Sequence, residues 1–336
     1  MAAVVGETTG RSPVPRATLL WLGLGALVVV LFFVTIAVLN STVYSASGFA
    51  KSYVDAINRG DTASALALAG VQPTGASGDE LLTVSEKGAF RSVRVVGDVT
   101  ERDGDHRVAV TYETTTGAQE QTIRFTIRPS GTFGGLFGRW EFATPPTASI
   151  DVTPRNDPRF TADGVEVTTK GADLATRYTV LAPAAFTLSH SSTYLTARDT
   201  TVSADAVGQV VSAAVDVEPR ASFTAKVRAD VTKYLRTDCL PQKVLLPSGC
   251  PFGESVDDRL TGDPTWTMAT YPAVSLQPTA TAGVWDVVAA TGVAHLNVGA
   301  ESLYDGHDYT IDKNVPFRVS YQVTIGSDNG LTITPK

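Results

Sequence analysis

The chain has 336 residues, with 27 Lys or Arg against 34 Asp or Glu, a formal net charge of −7. No run of Lys or Arg occurs, and a nucleic-acid groove needs a concentrated basic surface, so nucleic acid is not an expected partner. Beyond residue 40 the chain is patterned throughout and rich in Thr, Val, Ala and Gly, which argues against a disordered stalk and leaves length for two or three domains.

Residues 17–39, ATLLWLGLGALVVVLFFVTIAVL, carry no charge. At ~1.5 Å rise per residue such a helix is about 34 Å long, enough to cross a hydrocarbon core. Signal-peptide cores are usually about 7–15 residues, so the segment predicts a transmembrane helix over 17–39. Arg11 and Arg16 precede it with one acid, Glu7, and the first basic residue after it is Lys51. That bias predicts a cytoplasmic tail at 1–16 and an extracytoplasmic location for residues 40–336. The expected localisation is the cell membrane, single-pass, with the membrane itself as one partner. Cleavage near Ser45-Ala46-Ser47 is the alternative.

In the next segment Phe49, Tyr53 and Ile57 recur at four-residue spacing with Val54 beside them, which predicts an amphipathic helix. Gly60 stops it, and Asp61 is placed to cap a second helix containing Leu66 and Leu68. A shorter helical piece is expected at 79–87. The period then becomes two: Val108, Val110 and Tyr112 alternate in one strand, and Ile123, Phe125 and Ile127 in the next. The polar stretch Thr114–Gln119, with Gly117, predicts a hairpin loop between them. RWEFA at 139–143 adds a strand. Helices followed by a curved antiparallel sheet make an α+β unit at 46–145.

Residues 146–220 contain little helix pattern. TASIDVTP, DGVEVTT, RYTVLAP, AFTLS and TVSADAVGQV are strand candidates between Pro, Gly and polar turns, predicting a small β-sandwich domain. From 221 the helix period returns with Phe223, Val227, Val231, Tyr234 and Leu235, ending near Asp238. Strands are expected at WTMATYPAVSL, VWDVVAAT, AHLNV and PFRVSYQVTIG, the last alternating Phe317, Val319, Tyr321, Val323 and Ile325. Asp328-Asn329-Gly330 turns the chain into LTITP. The order of helix and then antiparallel strands thus occurs twice.

Cys239 and Cys250 are the only cysteines. On the exported side a lone pair is most simply a disulfide, and closing a loop of this size stabilises by roughly 3 kcal/mol in the chain-entropy model. Pro241, Pro247 and Gly249 leave the enclosed segment few ladder hydrogen bonds of its own. A redox motif would want CxxC spacing, and a zinc site two further ligands.

FAKSYVDAINRGDTASALAL, a helix with an aromatic and small-residue stripe meeting a Gly-Asp turn, resembles the start of NTF2-like (cystatin-like) domains. The resemblance covers 46–145 well and 221–336 less fully. It implies a helix packed in a cone on a curved sheet, twice, flanking the β domain. The whole chain also resembles uncharacterised single-pass envelope proteins of Gram-positive, actinobacterial-type bacteria. Their second NTF2-like domain carries a segment like Cys239, Pro247, Gly249, Cys250, Pro251 and Phe252 here. A more distant resemblance is to teicoplanin-resistance-associated envelope proteins. Those begin with a cytoplasmic zinc ribbon, whereas this chain has no cysteine before its apolar segment.

Signs of chemistry are sparse. No two of His106, His190, His295 and His307 lie within five residues, so the sequence shows no local metal pair, and no metal or cofactor is expected. DGHD at 305–308 and Asp103-Gly104-Asp105-His106 read as turns, and Asp257-Asp258 as solvated acids. GxSxG and SxxK are absent, and no catalytic residue is assigned. GTFGGLFG at 131–138 is the unusual loop. Either its aromatics fold back on the sheet, or Phe133, Leu136 and Phe137 form an apolar finger that touches membrane or a partner. The expectation is a non-enzymatic envelope protein binding a protein partner or a cell-wall component. A ligand sensor or carrier using the NTF2-like cavity, and an enzyme in that cavity, are the alternatives. Polar pocket walls would favour the alternatives, and a cone filled by Val, Leu and Phe the first reading.

Overall fold

Unbroken apolarity makes α1, Arg16–Ser41, the first element. In this computed structural model, which describes residues 16–85, 87–115, 119–326 and 328–336, its Leu20–Ser41 stretch has a mean hydropathy of 2.9 and none of it is buried in the protein. It is long and apolar enough to cross a membrane, as a transmembrane or a signal helix. Residues 1–15 of the expected tail lie outside the described residues.

Helix α2 (Ala46–Asn58) begins where the Ser45 side chain accepts the Gly48 N–H, and α3 (Thr62–Ala69) where Asp61 accepts the Ser64 N–H. Four antiparallel strands follow in sheet order: β1 (Phe90–Thr100), β2 (His106–Thr114), β3 (Glu120–Phe133) and β4 (Phe137–Phe142). The apolar stripe of α2 lies on this sheet. Tyr53, Val54 and Ile57 are buried together with Val108, Val110, Tyr112, Ile123, Phe125 and Ile127. Each such side chain contributes about 1.5–3 kcal/mol by leaving water. Phe142 closes the group, with its ring 4.9 Å from Tyr53 and 5.3 Å from Phe125.

Two expectations need correction here. Strand β1 was not expected: only Phe90 of it is buried, its alternation over 93–98 is between half-buried and exposed positions, and bulges at Arg91/Arg94 and Val95/Gly97 interrupt its pairing. The helical piece expected at 79–87 is a single 3-10 turn, Glu80–Thr83. Gly117 of the expected hairpin loop lies outside the described residues.

Seven strands come next: β5 (Thr147–Arg155), β6 (Arg159–Ala162), β7 (Val165–Thr168), β8 (Thr176–Leu181), β9 (Ala184–Ser191), β10 (Leu195–Ala204) and β11 (Val210–Pro219). Their order is β7-β6-β9-β10-β11-β5-β8, and β11 pairs with β5 in parallel. The sheet curls on itself. Phe160 in β6 and Tyr178 in β8 are separated by four intervening strands, yet their rings meet at 5.8 Å. TVSADAVGQV is not one strand. It ends β10, turns where Gln209 Oε1 accepts the Asp205 and Ala206 N–H groups, and starts β11.

Helix α4 (Ala221–Tyr234) buries Phe223, Val227 and Val231, and a wider π turn over Leu235–Cys239 carries the chain on. Then follow β12 (Arg259–Leu260), β13 (Thr265–Thr270), β14 (Leu276–Pro278), β15 (Val284–Glu301), β16 (Asp308–Ile325) and β17 (Leu331–Pro335). β15 pairs along one edge with β12, β13 and β14 in turn, and along the other with β16. VWDVVAAT and AHLNV are thus one strand, bulged between Val287 and Ala290, and WTMATYPAVSL is two strands broken around Pro272.

The fold is α+β and mostly sheet. Polar contacts join its parts: the buried Tyr53 hydroxyl donates to Pro146 O and Ala182 O, at 3.1 and 3.0 Å. Tyr112 donates to Asp205 at 2.8 Å, and Tyr194 stacks on Phe223 at 5.2 Å.

Candidate functional site

The GTFGGLFG stretch is the tip of the β3–β4 hairpin, and it lies against the end of α1. Phe133 pairs with Phe137, and Gly134 and Gly135, with φ of 58° and 71°, make the tight turn that a side chain would strain. Asn40, in the last turn of α1, clasps both sides of this tip. Its Nδ2 donates to Leu136 O at 2.7 Å, and its Oδ1 accepts the Gly138 N–H at 3.1 Å. Phe137 turns back onto Tyr44, with ring centroids 4.5 Å apart. Phe133 and Leu136 stay in the open, 67% and 44% exposed. The three residues singled out from the sequence therefore divide: one ring packs inward and two apolar side chains project.

The elbow between α1 and α2 is held in place. Tyr44 N–H donates to Leu39 O at 2.9 Å, and Trp140 Nε1 donates to Tyr44 O at 2.7 Å. Gly48 packs so closely that an added Cβ would sit 2.3 Å from Thr42 O and 2.6 Å from Val43 O. Trp140 meets the edge of His106 at 4.9 Å. The imidazole Nδ1 lies 2.7 Å from Asp98 Oδ1, while Ser47 Oγ donates to Asp98 Oδ2 at 2.6 Å. A nucleophilic serine needs its hydroxyl on the imidazole. Here hydroxyl and imidazole share one carboxylate, so the trio fastens α2 to the sheet and does not activate the serine.

Two open hollows adjoin the hairpin. One, about 660 Å³, lies between Tyr44, Leu68, Trp140 and the charged Arg128, Arg139 and Glu141. The other, about 470 Å³, is lined by Tyr44, Phe133, Gly138 and Arg139. Arg128 is engaged by Glu141 at 2.7 Å. Arg139 is exposed and makes no ion pair among the described residues.

The remaining sequence-marked residues lie elsewhere and apart. Cys239 and Cys250 form a disulfide with Cα atoms 5.7 Å apart, and Cys239 is fully buried. His190 is buried, its ring nitrogens near Arg159 O and Ser192 Oγ. His295 faces Asn314 and Asp312, and His307 sits in the β15–β16 turn. Among the described residues no group of three His, Cys, Asp or Glu is placed to hold a metal ion. Asp258 differs from the solvated reading. Its carboxylate accepts the Tyr309 hydroxyl and the Leu303 N–H, which together hold it below the usual carboxylate range and pin the β15–β16 hairpin.

Sequence reasoning missed Asn40 and Tyr44. A polar residue at the end of an apolar helix reads as an ordinary terminus, and only the fold brings the hairpin to it. No protein-family model, no curated protein and no solved structure matches the chain.

Proposed function

We propose that this chain is a membrane-anchored, extracytoplasmic, non-enzymatic protein of the cell envelope that binds a protein partner or a cell-wall component. In this reading α1 is a single-pass anchor. Residues 46–145 and 221–336 are NTF2-like units around a β-sandwich at 146–220, as in the envelope proteins that the sequence resembles.

The observation that carries the reading is how the interior of the first helix-on-sheet unit is filled. In the first unit Tyr53, Phe90, Tyr112, Phe125 and Phe142 occupy the space that a ligand would need. The small cavity beside them, between Ile57, Phe90 and Phe186, is about 20 Å³, room for roughly one water. In the last unit Phe252 lies 5.0 Å from Trp266 and 5.4 Å from Phe317, and Phe223 meets Trp285 at 6.1 Å. A hollow of about 310 Å³ stays open between α4 and β16–β17, lined by Val231, Tyr234, Tyr321 and Ile333 with Asp230 as its one acid. The filled interior of the first unit leaves recognition there to outer surfaces. The disulfide suits an oxidising compartment. Ser45 caps α2 and Ala46 is buried, so cleavage there would cut the elbow and release the Asn40 clasp. That favours a retained anchor.

Protease added to intact, wall-stripped cells tests the topology. Digestion of 40–336 with survival of the anchor is expected, and full protection of the C-terminal part would overturn the reading. Crosslinking in whole cells then tests for a bound envelope partner.

A further inference from the structure

The Asn40 clasp fixes the height of the β3–β4 tip relative to the apolar helix. Leu20–Ser41 spans about 33 Å at ~1.5 Å per residue, close to a hydrocarbon core of ~30 Å. Asn40 then lies where hydrocarbon gives way to headgroups. The hairpin tip is within hydrogen-bond distance of Asn40, so it lies at the same level.

The chemistry of the tip suits that level. Phe133 and Leu136 are exposed beside Tyr44 and Trp140, and aromatic rings are favoured at the headgroup boundary. Arg139 lines both hollows beside them and carries a charge that no acid of the described protein takes up. Apolar side chains at an interface next to a free guanidinium match an anionic lipid surface: the apolar groups enter between acyl chains, and the cation meets phosphate. Arg128 cannot substitute, because Glu141 already neutralises it. Another exposed apolar tip, Leu303 and Tyr304, lies in the connection between β15 and β16, the longest strands.

We infer that the β3–β4 hairpin is a second membrane contact, in which Phe133 and Leu136 insert into the outer face of the bilayer and Arg139 binds anionic headgroups. This rests on reading α1 as a membrane span. Together, helix and hairpin hold the exported part in one orientation on the membrane, where a lone helix would leave it free to swivel.

Full-length chain in lipid nanodiscs of phosphatidylcholine and phosphatidylglycerol tests the inference. With the native cysteines joined in the disulfide, a single added cysteine takes an environment-sensitive fluorophore. Phe133→Cys probes the hairpin, Leu27→Cys the middle of α1, and Tyr304→Cys the distant tip. All three native residues are exposed, so the label enters no core. Headgroup-level spin-labelled lipid is expected to quench the Phe133 label several-fold more than the Tyr304 label. Arg139→Glu should reduce that quenching in phosphatidylglycerol discs and change it little in pure phosphatidylcholine. A quenched Leu27 label with an unquenched Phe133 label overturns the hairpin contact alone. A Phe133 label shifted to the blue but not quenched by lipid also overturns it, in favour of contact with a second copy. A Leu27 label that deep spin-labelled lipid does not reach removes the anchor, and the inference with it.

Discussion

Replacing both Cys239 and Cys250 by serine tests how the last unit is held together. The loop contains Pro241, Pro247 and Gly249 and no strand, yet it is tied down at several points. Gln242 Nε2 donates to Asp238 O and Ser248 O, and its Oε1 accepts the Ser248 N–H at 2.8 Å. Tyr234 donates to Gly249 O at 2.7 Å, and Trp266 Nε1 to Val244 O at 2.8 Å. These bonds decide which cost is felt. A loop held by the bridge alone would fray after its loss, and the penalty would stay local. This loop keeps its place, so the variant bears nearly the whole gain in unfolded-chain entropy. For the closed loop, whose ends are 11 positions apart, the chain-entropy relation gives about 3 kcal/mol, and burying a serine hydroxyl at the fully buried Cys239 site adds to it. Urea unfolding of the detergent-solubilised chain, followed by tryptophan fluorescence, is the assay. Trp266 and Trp285 lie in this unit, Trp140 in the first and Trp21 in α1, so spectra in a background carrying both Trp21→Phe and Trp140→Phe isolate the last unit. A loss of about 2–4 kcal/mol is expected there. A loss below about 1 kcal/mol, or a free thiol in the denatured oxidised wild type, would refute the reasoning.

Gly48→Ala should lower Tm. The better helix propensity of alanine returns at most about 1 kcal/mol. Against it stands a Cβ 2.3 Å from Thr42 O and 2.6 Å from Val43 O, backbone atoms that move only with the elbow, and such overpacking costs about 1–3 kcal/mol or more. An unchanged or raised melting temperature would mean that the elbow is looser than described. Alkaline pH should unfold the protein through buried phenols. Burial pushes the Tyr53 hydroxyl well up, burial and the Asp205 carboxylate push Tyr112 up, and burial and the Glu80 charge push Tyr178 up to about 12. Each folded value exceeds the unfolded value of about 10, so their stabilisation is full below pH ~10 and is lost as pH rises through the folded values. Phenolate absorbance should show Tyr53, Tyr112 and Tyr178 ionising only with loss of tertiary circular dichroism. Ionisation of every tyrosine in one step near pH 10 with the fold intact would contradict this.

The sequence by itself determined those elements whose burial is one-sided and local. Unbroken apolarity marks α1, and the four-residue stripe marks the buried face of α2. Strict alternation marks β2, β3 and much of β16, because a strand with one buried face must repeat every two residues. The cysteine pair was legible too, since its spacing and setting leave little else to do. Tertiary structure alone decided the rest. Strand β1 is a bulged edge with one buried residue, so its alternation of half-buried and exposed positions is faint in the sequence. β15 reads as two strands because Gly292 falls between VWDVVAAT and AHLNV, whereas in the fold that glycine makes room for the Phe317 ring, which an added Cβ would meet at 2.3 Å. The seven-strand curl depends on Phe160 meeting Tyr178, and neighbouring residues do not encode that encounter. The same holds for the candidate site. Composition singled out Phe133, Leu136 and Phe137, but not which of them would project. Asn40 reaches Leu136 across 96 positions, and that hydrogen bond sets the hairpin beside the end of the apolar helix. A polar contact between distant segments leaves no local pattern; it exists only once packing has brought donor and acceptor together.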